Sequence, residues 1–588
     1  MIEKRYWVAL GAVSAALGAC SGEIEAPPEG VGATGGTASA GAAGTSPLSG
    51  GSAGSAGTAG SGVTGGSAGS SGSGGSGGSR DVCVPGVPST SQIPRMKNQQ
   101  YDNVVRDLLG VTALPDTGGP PSSLLVADFD GSLTDIAWNA YQRAADTIAT
   151  AVMAGANRSR FVTCELTAPT CLAETIRAFG RKAFRRPLTP AEVESFERLK
   201  DVTPAGTPEE IAEGVLFAIL ASPSFIMVPE LGQETELQAI KLTSHEVAAR
   251  LAFFLWGSVP DDALNAAADQ NALGTKEQIL VQAQRMIQDR VRTAPVVAAF
   301  HRVYADIRPG SHWATVVNHD PVRFPNYTPA AVEPMMAEMD AFFEEVAFTG
   351  GSFSDLLLSN VGFVNRDTAA IYGLDPAAYG TDLTRVELPP ADRPGFLTRV
   401  GFLSSYSAER TSSPILRGAF IARKVLGVVI EDPPPEAAEA ELPPGDYESE
   451  RQVVELLTAP GQCAGCHAFT INPPGFVLER YDSVGGIQTV DPLGGAIDTT
   501  AQVAFSETNI KPIATPLELM TELATGPDAK RNYAQQWVTF ATGRVPNEND
   551  ACQVNDLSTK LSADGYTILN VLTDLTQADS FRLRSVGN

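Results

Sequence analysis

The sequence predicts a mainly α-helical protein of several domains. The chain has 588 residues, of which 43% are hydrophobic, and this is too long for a single ordinary core. After Cys83, apolar residues recur at helical spacing, whereas the alternation of apolar and polar residues that is typical of strands is scarce. We therefore expect a helical body, preceded by a segment that cannot form a core.

Residues 1–20 have the pattern of a bacterial signal peptide. Lys4 and Arg5 precede an apolar stretch that is too short to cross a bilayer and that ends in Leu-Gly-Ala-Cys. This ending resembles a lipobox, in which the chain is cut before the cysteine and the cysteine is acylated. A plain secretory cleavage site fits the apolar stretch equally well but gives no reason for a cysteine at this position.

Cys20 is thus the predicted lipidation site of an exported, lipid-anchored protein. Several acyl chains hold a protein on a lipid membrane without a transmembrane helix. By analogy with lipoprotein sorting, Ser21 favours the outer membrane, at its periplasmic or surface face.

Residues 21–82 are predicted to be a disordered linker. From Gly30 to Ser79 the chain is almost entirely Gly, Ser, Ala and Thr and has neither charged nor aromatic residues. A flexible chain of about 50 such residues spans roughly 40 Å. We interpret it as a tether that holds the body away from the lipid.

Helix signals recur through the body. Tyr101, Val104, Val105, Leu108 and Leu109 share one helical face. Thr-x-x-Glu capping boxes begin at 189 and 243. Further amphipathic helices are predicted around residues 276–290, 295–307, 329–349, 414–427, 515–525 and 531–543.

The body is predicted to have five regions. The proline-rich stretch of residues 433–444 can continue neither a helix nor a central strand, so we place a linker there. The predicted regions are an N-terminal helical domain (83–170), a small helical domain (171–235), a central helical domain (236–375), a domain with the cysteine motif described below (376–485) and a C-terminal helical domain (486–588).

The charge balance excludes one class of partner. The formal net charge is −25, and nucleic-acid binding depends largely on Lys and Arg that neutralise phosphates. Nucleic acid is therefore not expected as a ligand. Dispersed carboxylates are read as a solvated surface.

Residues 463–467 form a cofactor-attachment motif. Their sequence, Cys-Ala-Gly-Cys-His, is the C-x-x-C-H signature of haem c attachment. The thiols of Cys463 and Cys466 would bond the two vinyl groups, and the imidazole of His467 would ligate the iron. The sequence thus predicts one covalent haem c.

Two other uses of these residues fit the sequence less well. A structural zinc site needs four protein ligands, and the chain has no second Cys-x-x-Cys or His-x-x-x-His pair. A thioredoxin-like redox pair follows a buried strand, whereas Cys463 follows Thr-Ala-Pro-Gly-Gln. Haem attachment is favoured over both.

The sixth iron ligand decides between electron transfer and reactions at an open iron. Met520 is the only methionine after the motif and is a candidate distal ligand. It also lies in a predicted capped helix, where methionine commonly fills a core. His301 is interpreted as a satisfied helix residue.

Six segments carry a resemblance to a known family. They are residues 100–109, 183–189, 254–264, 412–418, 472–482 and 540–544. Together with C-x-x-C-H, they resemble exported planctomycete and myxobacterial cytochrome c-like proteins built from tandem domains of unknown function. The resemblance covers most of the chain after Cys83 and implies a C-terminal cytochrome c-like haem region and one c-type haem, but no established reaction. That family usually has Asp-Pro where this chain has Asn472-Pro473.

Arg417, in the fourth of these segments, is a further candidate for the haem site. Its guanidinium could pair with a haem propionate.

The remaining cysteines are candidates for disulfides because an exported chain meets an oxidising environment. Cys164 and Cys171 enclose a short loop. Cys83 and Cys552 are then left near the two ends of the body, which suggests a second bridge.

Three functions are compatible with these features. The leading hypothesis is a membrane-anchored extracytoplasmic haem protein that transfers electrons to or from a redox partner. The alternatives are a haem-dependent oxidoreductase with an open iron position, and a surface binding or scaffold lipoprotein without haem.

Overall fold

A computed structural model describes residues 94–127, 133–202, 206–232, 234–236, 239–307, 319–430, 442, 445–459 and 461–585. Cys20, the glycine-rich linker and most of the proline-rich stretch lie outside these residues.

The described body is mainly α-helical, as the sequence predicts. The helices in the first half are α1 (Asn98–Leu109), α2 (Asp135–Ala154), α3 (Cys171–Ala183), α4 (Pro190–Glu197), α5 (Pro208–Leu220), α6 (Pro223–Ile226), α7 (Ser244–Trp256), α8 (Asp262–Asp269), α9 (Lys276–Ile287) and α10 (Arg290–Tyr304). The later helices are α11 (Val332–Phe348), α12 (Phe353–Leu358), α13 (Val400–Ser405), α14 (Pro414–Phe420), α15 (Glu450–Thr458), α16 (Gly461–Cys466), α17 (Asn472–Val477), α18 (Pro516–Thr525), α19 (Pro527–Thr542), α20 (Ala551–Lys560), α21 (Ile568–Thr576) and α22 (Asp579–Arg582).

The caps explain where many helices begin. Thr189 and Thr243 each accept a hydrogen bond from the main-chain N–H of the glutamate three residues later, as the capping boxes predict. Two predicted helices begin earlier than expected. The helix expected around residues 531–543 is α19, which begins at Pro527. The helix expected from residue 295 begins at Arg290, because Asp289 caps it and Pro295 is accommodated inside it.

The strands form small antiparallel sheets. They are β1 (Glu234–Glu236), β2 (Ala239–Lys241), β3 (Val361–Val364), β4 (Thr384–Glu387), β5 (Ala501–Ser506), β6 (Asn509–Ile513) and β7 (Leu583–Ser585). Strand β2 lies between β1 and β7, so a C-terminal strand pairs beside the start of α7. The other two sheets are the pairs β3–β4 and β5–β6.

The buried apolar residues form two clusters. One lies mainly within residues 96–228 and is built by α1 to α6. The other extends from Leu242 to Phe581 and includes α7 to α14 and α17 to α22. The cysteine motif lies at the edge of this second core, because Val477 on the following helix belongs to the core whereas Cys466 is exposed.

No helix among the described ranges is long and apolar enough to span a bilayer.

Candidate haem-binding site

The cysteine motif lies on one helical segment that changes its winding at the histidine. Helix α16 ends at Cys466, the chain continues as a π-helical turn from His467 to Ile471, and α17 begins at Asn472. Pro473 and Pro474 have no main-chain N–H to give to the preceding turn, which accounts for a wider turn before them.

The π-turn brings Asn472 to His467. The main-chain N–H of Asn472 donates to the carbonyl of His467, a spacing of five residues. The side chains follow the same spacing: His467 Nδ1 lies 2.8 Å from Asn472 Oδ1. Asn472 is 4% exposed, so the acceptor side of this contact is buried, whereas His467 is partly exposed.

A chain of hydrogen bonds fixes the direction of this contact. Thr458 Oγ1 donates to the Val454 carbonyl at 2.7 Å, and a carbonyl can only accept. Thr458 Oγ1 then accepts from Asn472 Nδ2 at 2.8 Å, which leaves Asn472 Oδ1 to accept from His467 Nδ1–H. The imidazole is therefore the Nδ1–H tautomer, and its Nε2 carries the free lone pair that a metal requires.

Both motif cysteines are free thiols. Cys463 is partly exposed and Cys466 is exposed. They are three residues apart on α16, a spacing that places side chains on one helical face. Within the ranges that the structure describes, no group of three or more His, Cys, Asp or Glu side chains is placed to hold a metal ion, so these three residues are not gathered around one point.

A cavity of about 340 Å³ lies beside His467. Much of its lining is apolar, including Ala464, Ala468, Phe469, Pro473 and Phe476. Phe469 is 57% exposed, which is unusual for a large apolar side chain unless another group covers it. An apolar wall beside an available imidazole fits a porphyrin face. Cys463 and Cys466 do not line this cavity, but both are accessible on α16, which leads directly into His467.

Arg451 lines the same cavity. Its Nε donates to Glu455 at 3.0 Å, and its Nη1 donates to the carbonyl of Thr500 at 2.8 Å. Its guanidinium lies 4.4 Å from the centre of the Phe476 ring. Its Nη2 makes no hydrogen bond to a residue within the described ranges. The sequence reasoning missed this residue, because only folding brings α15 beside His467.

Arg417 does not face this cavity. It is fully buried on α14, and its N–H groups all donate to main-chain carbonyls. These are the carbonyls of Leu403, Tyr406, Leu478, Tyr481 and Asp482. Arg417 therefore has no N–H group left to donate to a haem propionate, and it is not part of the proposed haem site.

Met520 and His301 are both buried in the second core. Met520 lies on α18, fully buried, which matches the core-filling role that the sequence allowed. His301 Nε2 lies 3.0 Å from the Tyr533 hydroxyl, and its Nδ1 lies 2.8 Å from the Val297 carbonyl. Burial lowers the pKa of His301 to about 3. Because both ring nitrogens of His301 have hydrogen-bond partners within the core, it is a structural residue of its helix, as the sequence predicts.

Glu479 is a buried carboxylic acid just beyond α17. Burial raises its pKa to about 7, although the charges of Arg417 and Arg451 act in the opposite direction. The helix that carries His467 therefore continues into a segment with a proton-binding group near neutral pH.

The predicted disulfide between Cys164 and Cys171 is present, with Cα atoms 5.7 Å apart. Cys552 is also disulfide-bonded. Cys83, the partner that the sequence suggests for it, lies outside the described residues.

Five family models match the chain in tandem, each described as a protein of unknown function. They are DUF1587 over residues 95–154, DUF1595 over 171–230, DUF1592 over 242–374, DUF1588 over 393–491 and DUF1585 over 511–581. The DUF1588 match spans His467. The DUF1588 and DUF1585 domains are cytochrome c-like, which is consistent with a c-type haem protein. No curated protein and no solved structure matches the chain.

Proposed function

We propose that this chain, which belongs to the family of proteins built from these tandem domains of unknown function, is an exported, lipid-anchored protein that transfers electrons through one covalently bound haem c. The proposed anchor is acylated Cys20, at the outer membrane. The redox partner is a further protein or small molecule outside the cytoplasm.

The observation that carries the proposal is the tautomer of His467, which leaves its Nε2 available to bind iron. Its Nδ1–H is donated to Asn472, so its Nε2 is available while both neighbouring thiols are free. Cys463 and Cys466 would each add an S–H across a vinyl group, and His467 Nε2 would hold the iron. Haem c would supply a one-electron ferric/ferrous couple.

The surrounding residues have separate parts in this proposal. Phe469 and Phe476 would cover the porphyrin faces and keep water away from them. Arg451, anchored by Glu455 and the Thr500 carbonyl, is the proposed partner of a propionate through its Nη2. It replaces Arg417 in that role.

Expression together with c-type maturation machinery tests the proposal. We expect the peptide that contains Cys463 and Cys466 to carry the mass of haem after denaturation. A Cys463→Ser/Cys466→Ser double variant should lose this mass, whereas Cys164→Ser/Cys171→Ser should retain it, because that disulfide lies in the other core cluster. A matured peptide without porphyrin would overturn the proposal and favour the scaffold hypothesis.

A second candidate function is an oxidoreductase reaction at an open iron position. It is favoured by the side chains of the cavity beside His467, since, apart from His467 itself, none of the described lining residues is Met, His or Lys. Optical spectra separate the two candidates. A ferrous protein that binds carbon monoxide supports the second candidate, and a six-coordinate, low-spin species that ignores carbon monoxide excludes it.

A further inference from the structure

Asn472 is the only side chain in the described residues that contacts the ring of His467 by a hydrogen bond. His467 Nδ1 lies 2.8 Å from Asn472 Oδ1. The π-turn joins the two residues directly, so no flexible segment lies between them. A hydrogen bond from the remote nitrogen of an axial histidine sets both ring orientation and basicity.

The position of Asn472 is itself held on two sides. Its Nδ2 donates to Thr458, which is 9% exposed and lies at the end of α15. Its helix, α17, is packed backbone to backbone against α14, because a Cβ on Gly475 would overlap the Pro414 carbonyl. Asn472 therefore has little freedom to turn its amide away from His467.

The chemistry of the acceptor then matters. A neutral amide oxygen is a weaker acceptor than a carboxylate, so it withdraws less of the Nδ1 proton. An imidazole with an amide partner remains a moderate donor to iron. With a carboxylate partner it would approach an imidazolate and would stabilise ferric iron more strongly.

We propose that Asn472, held by Thr458, is the positioning residue that fixes the Nδ1–H tautomer of His467 and keeps the reduction potential of the haem high. This inference rests on the proposed function, because it concerns the same His467 site. The amide, rather than the cavity as a whole, determines how strongly the imidazole binds iron.

The test uses the full, haem-loaded chain and the isosteric variant Asn472→Asp. The new carboxylate should accept the Nδ1–H bond more strongly and favour the ferric state. We expect at least a tenfold shift in the ferric/ferrous equilibrium, which is about 59 mV downward for a one-electron couple. We also expect the iron–Nε2 stretching frequency, identified in resonance Raman spectra by its shift on 15N-histidine labelling, to rise.

Gln502→Glu is the matched control. Gln502 lines the same cavity and is exposed, so this variant adds the same charge without a hydrogen bond to His467. Its potential should shift less, and its iron–Nε2 frequency should stay at the wild-type value. Equal potential shifts in the two variants, with an unmoved frequency in Asn472→Asp, would overturn the inference.

Thr458→Val provides a second route if Asn472→Asp does not retain haem. It leaves His467 and Asn472 intact but removes the acceptor of Asn472 Nδ2. The iron–Nε2 band should then shift or broaden, and an unchanged band would contradict the inference. A wild-type chain that matures without haem would contradict the proposed function itself. Haem-loaded variants whose iron–Nε2 band stays at the wild-type frequency would contradict only the role of Asn472.

Discussion

Gly418 and Gly475 occupy the crossing of α14 and α17, and each leaves room for the main chain of the opposite helix. A Cβ on Gly418 would overlap the Ile471 carbonyl, and a Cβ on Gly475 would overlap the Pro414 carbonyl. Since α17 begins at Asn472, this contact fixes the backbone from which the partner of His467 extends.

Gly418→Ala should therefore destabilise the body. The added methyl group meets backbone rather than a movable side chain, so we expect the free energy of unfolding to fall by about 1–3 kcal/mol or more. Guanidinium denaturation measures this loss, and the variant should also retain less haem.

Gly214→Ala is the control for this prediction. Gly214 lies within α5, and a Cβ there would meet nothing within 4 Å. Alanine should stabilise that helix by about 0.5–1 kcal/mol. Similar responses of the two variants would show that helix propensity, and not the crossing, governs Gly418.

Arg417→Met should be among the most destabilising single changes in the chain. Arg417 ties α13 and α14 to the segment after α17 through buried carbonyls, and methionine would leave these carbonyls without donors. We expect a loss of about 3–5 kcal/mol in thermal or chemical unfolding. The comparable variant Arg366→Met, at a side chain that is 59% exposed, should change stability by about 0.5 kcal/mol or less. A mild effect of Arg417→Met would mean that water can replace the guanidinium.

Local signals in the sequence were enough to predict much of the helical fold. Capping boxes at Thr189 and Thr243 and apolar spacing in α1 involve residues within one or two turns, and the structure has them as predicted. The Cys-x-x-Cys-His spacing is equally local. The start of α10 was predicted too late, at residue 295, whereas the cap at Asp289 lies about a turn and a half earlier.

The parts that could not be predicted depend on segments distant in sequence. Arg417 binds carbonyls more than 60 residues away, and main-chain carbonyls have no sequence signature. Its charge therefore suggested an anionic cofactor group instead. Arg451 and Asn472 were likewise not assignable to His467, because a π-turn and the approach of α15 are needed to bring them there.

Arg451→Gln should lower the reduction potential of the loaded protein without releasing the haem. The thioether bonds remain, but a positive charge near the proposed propionate is lost, so the ferric state is favoured. Potentiometric titration measures the change. Arg480→Gln is the control, since Arg480 pairs with Asp392 and is not among the residues that line the cavity. An equal shift in both variants would argue for a general charge effect.

Cys20→Ser should release the protein from membranes. Without Cys20 the chain lacks its proposed acylation site, and no described helix can span a bilayer. Fractionation of cells should move the protein into the soluble extract while its haem content is unchanged. Continued membrane association of the variant would point to an anchor other than Cys20.

Glu338 should make stability depend on pH near neutrality. It is fully buried and accepts a hydrogen bond from Tyr372 at 2.7 Å. Burial raises its pKa from 4.5 to about 7, despite the opposing charges of Arg399 and Arg393. The folded state therefore holds this proton more tightly than the unfolded state does.

The sign of the effect follows from that difference. The contribution of Glu338 to stability is fully present below about pH 4.5, decreases as the pH rises, and is lost above about pH 7. Glu338→Gln cannot ionise, so the stability of the wild type relative to this variant should fall by about 3 kcal/mol across that interval. Unfolding curves at pH 4.5, 6 and 8 measure it. Glu194→Gln, at a side chain that is 72% exposed, should show a flat difference, and a flat difference for Glu338→Gln would mean that the buried carboxyl is ionised at low cost.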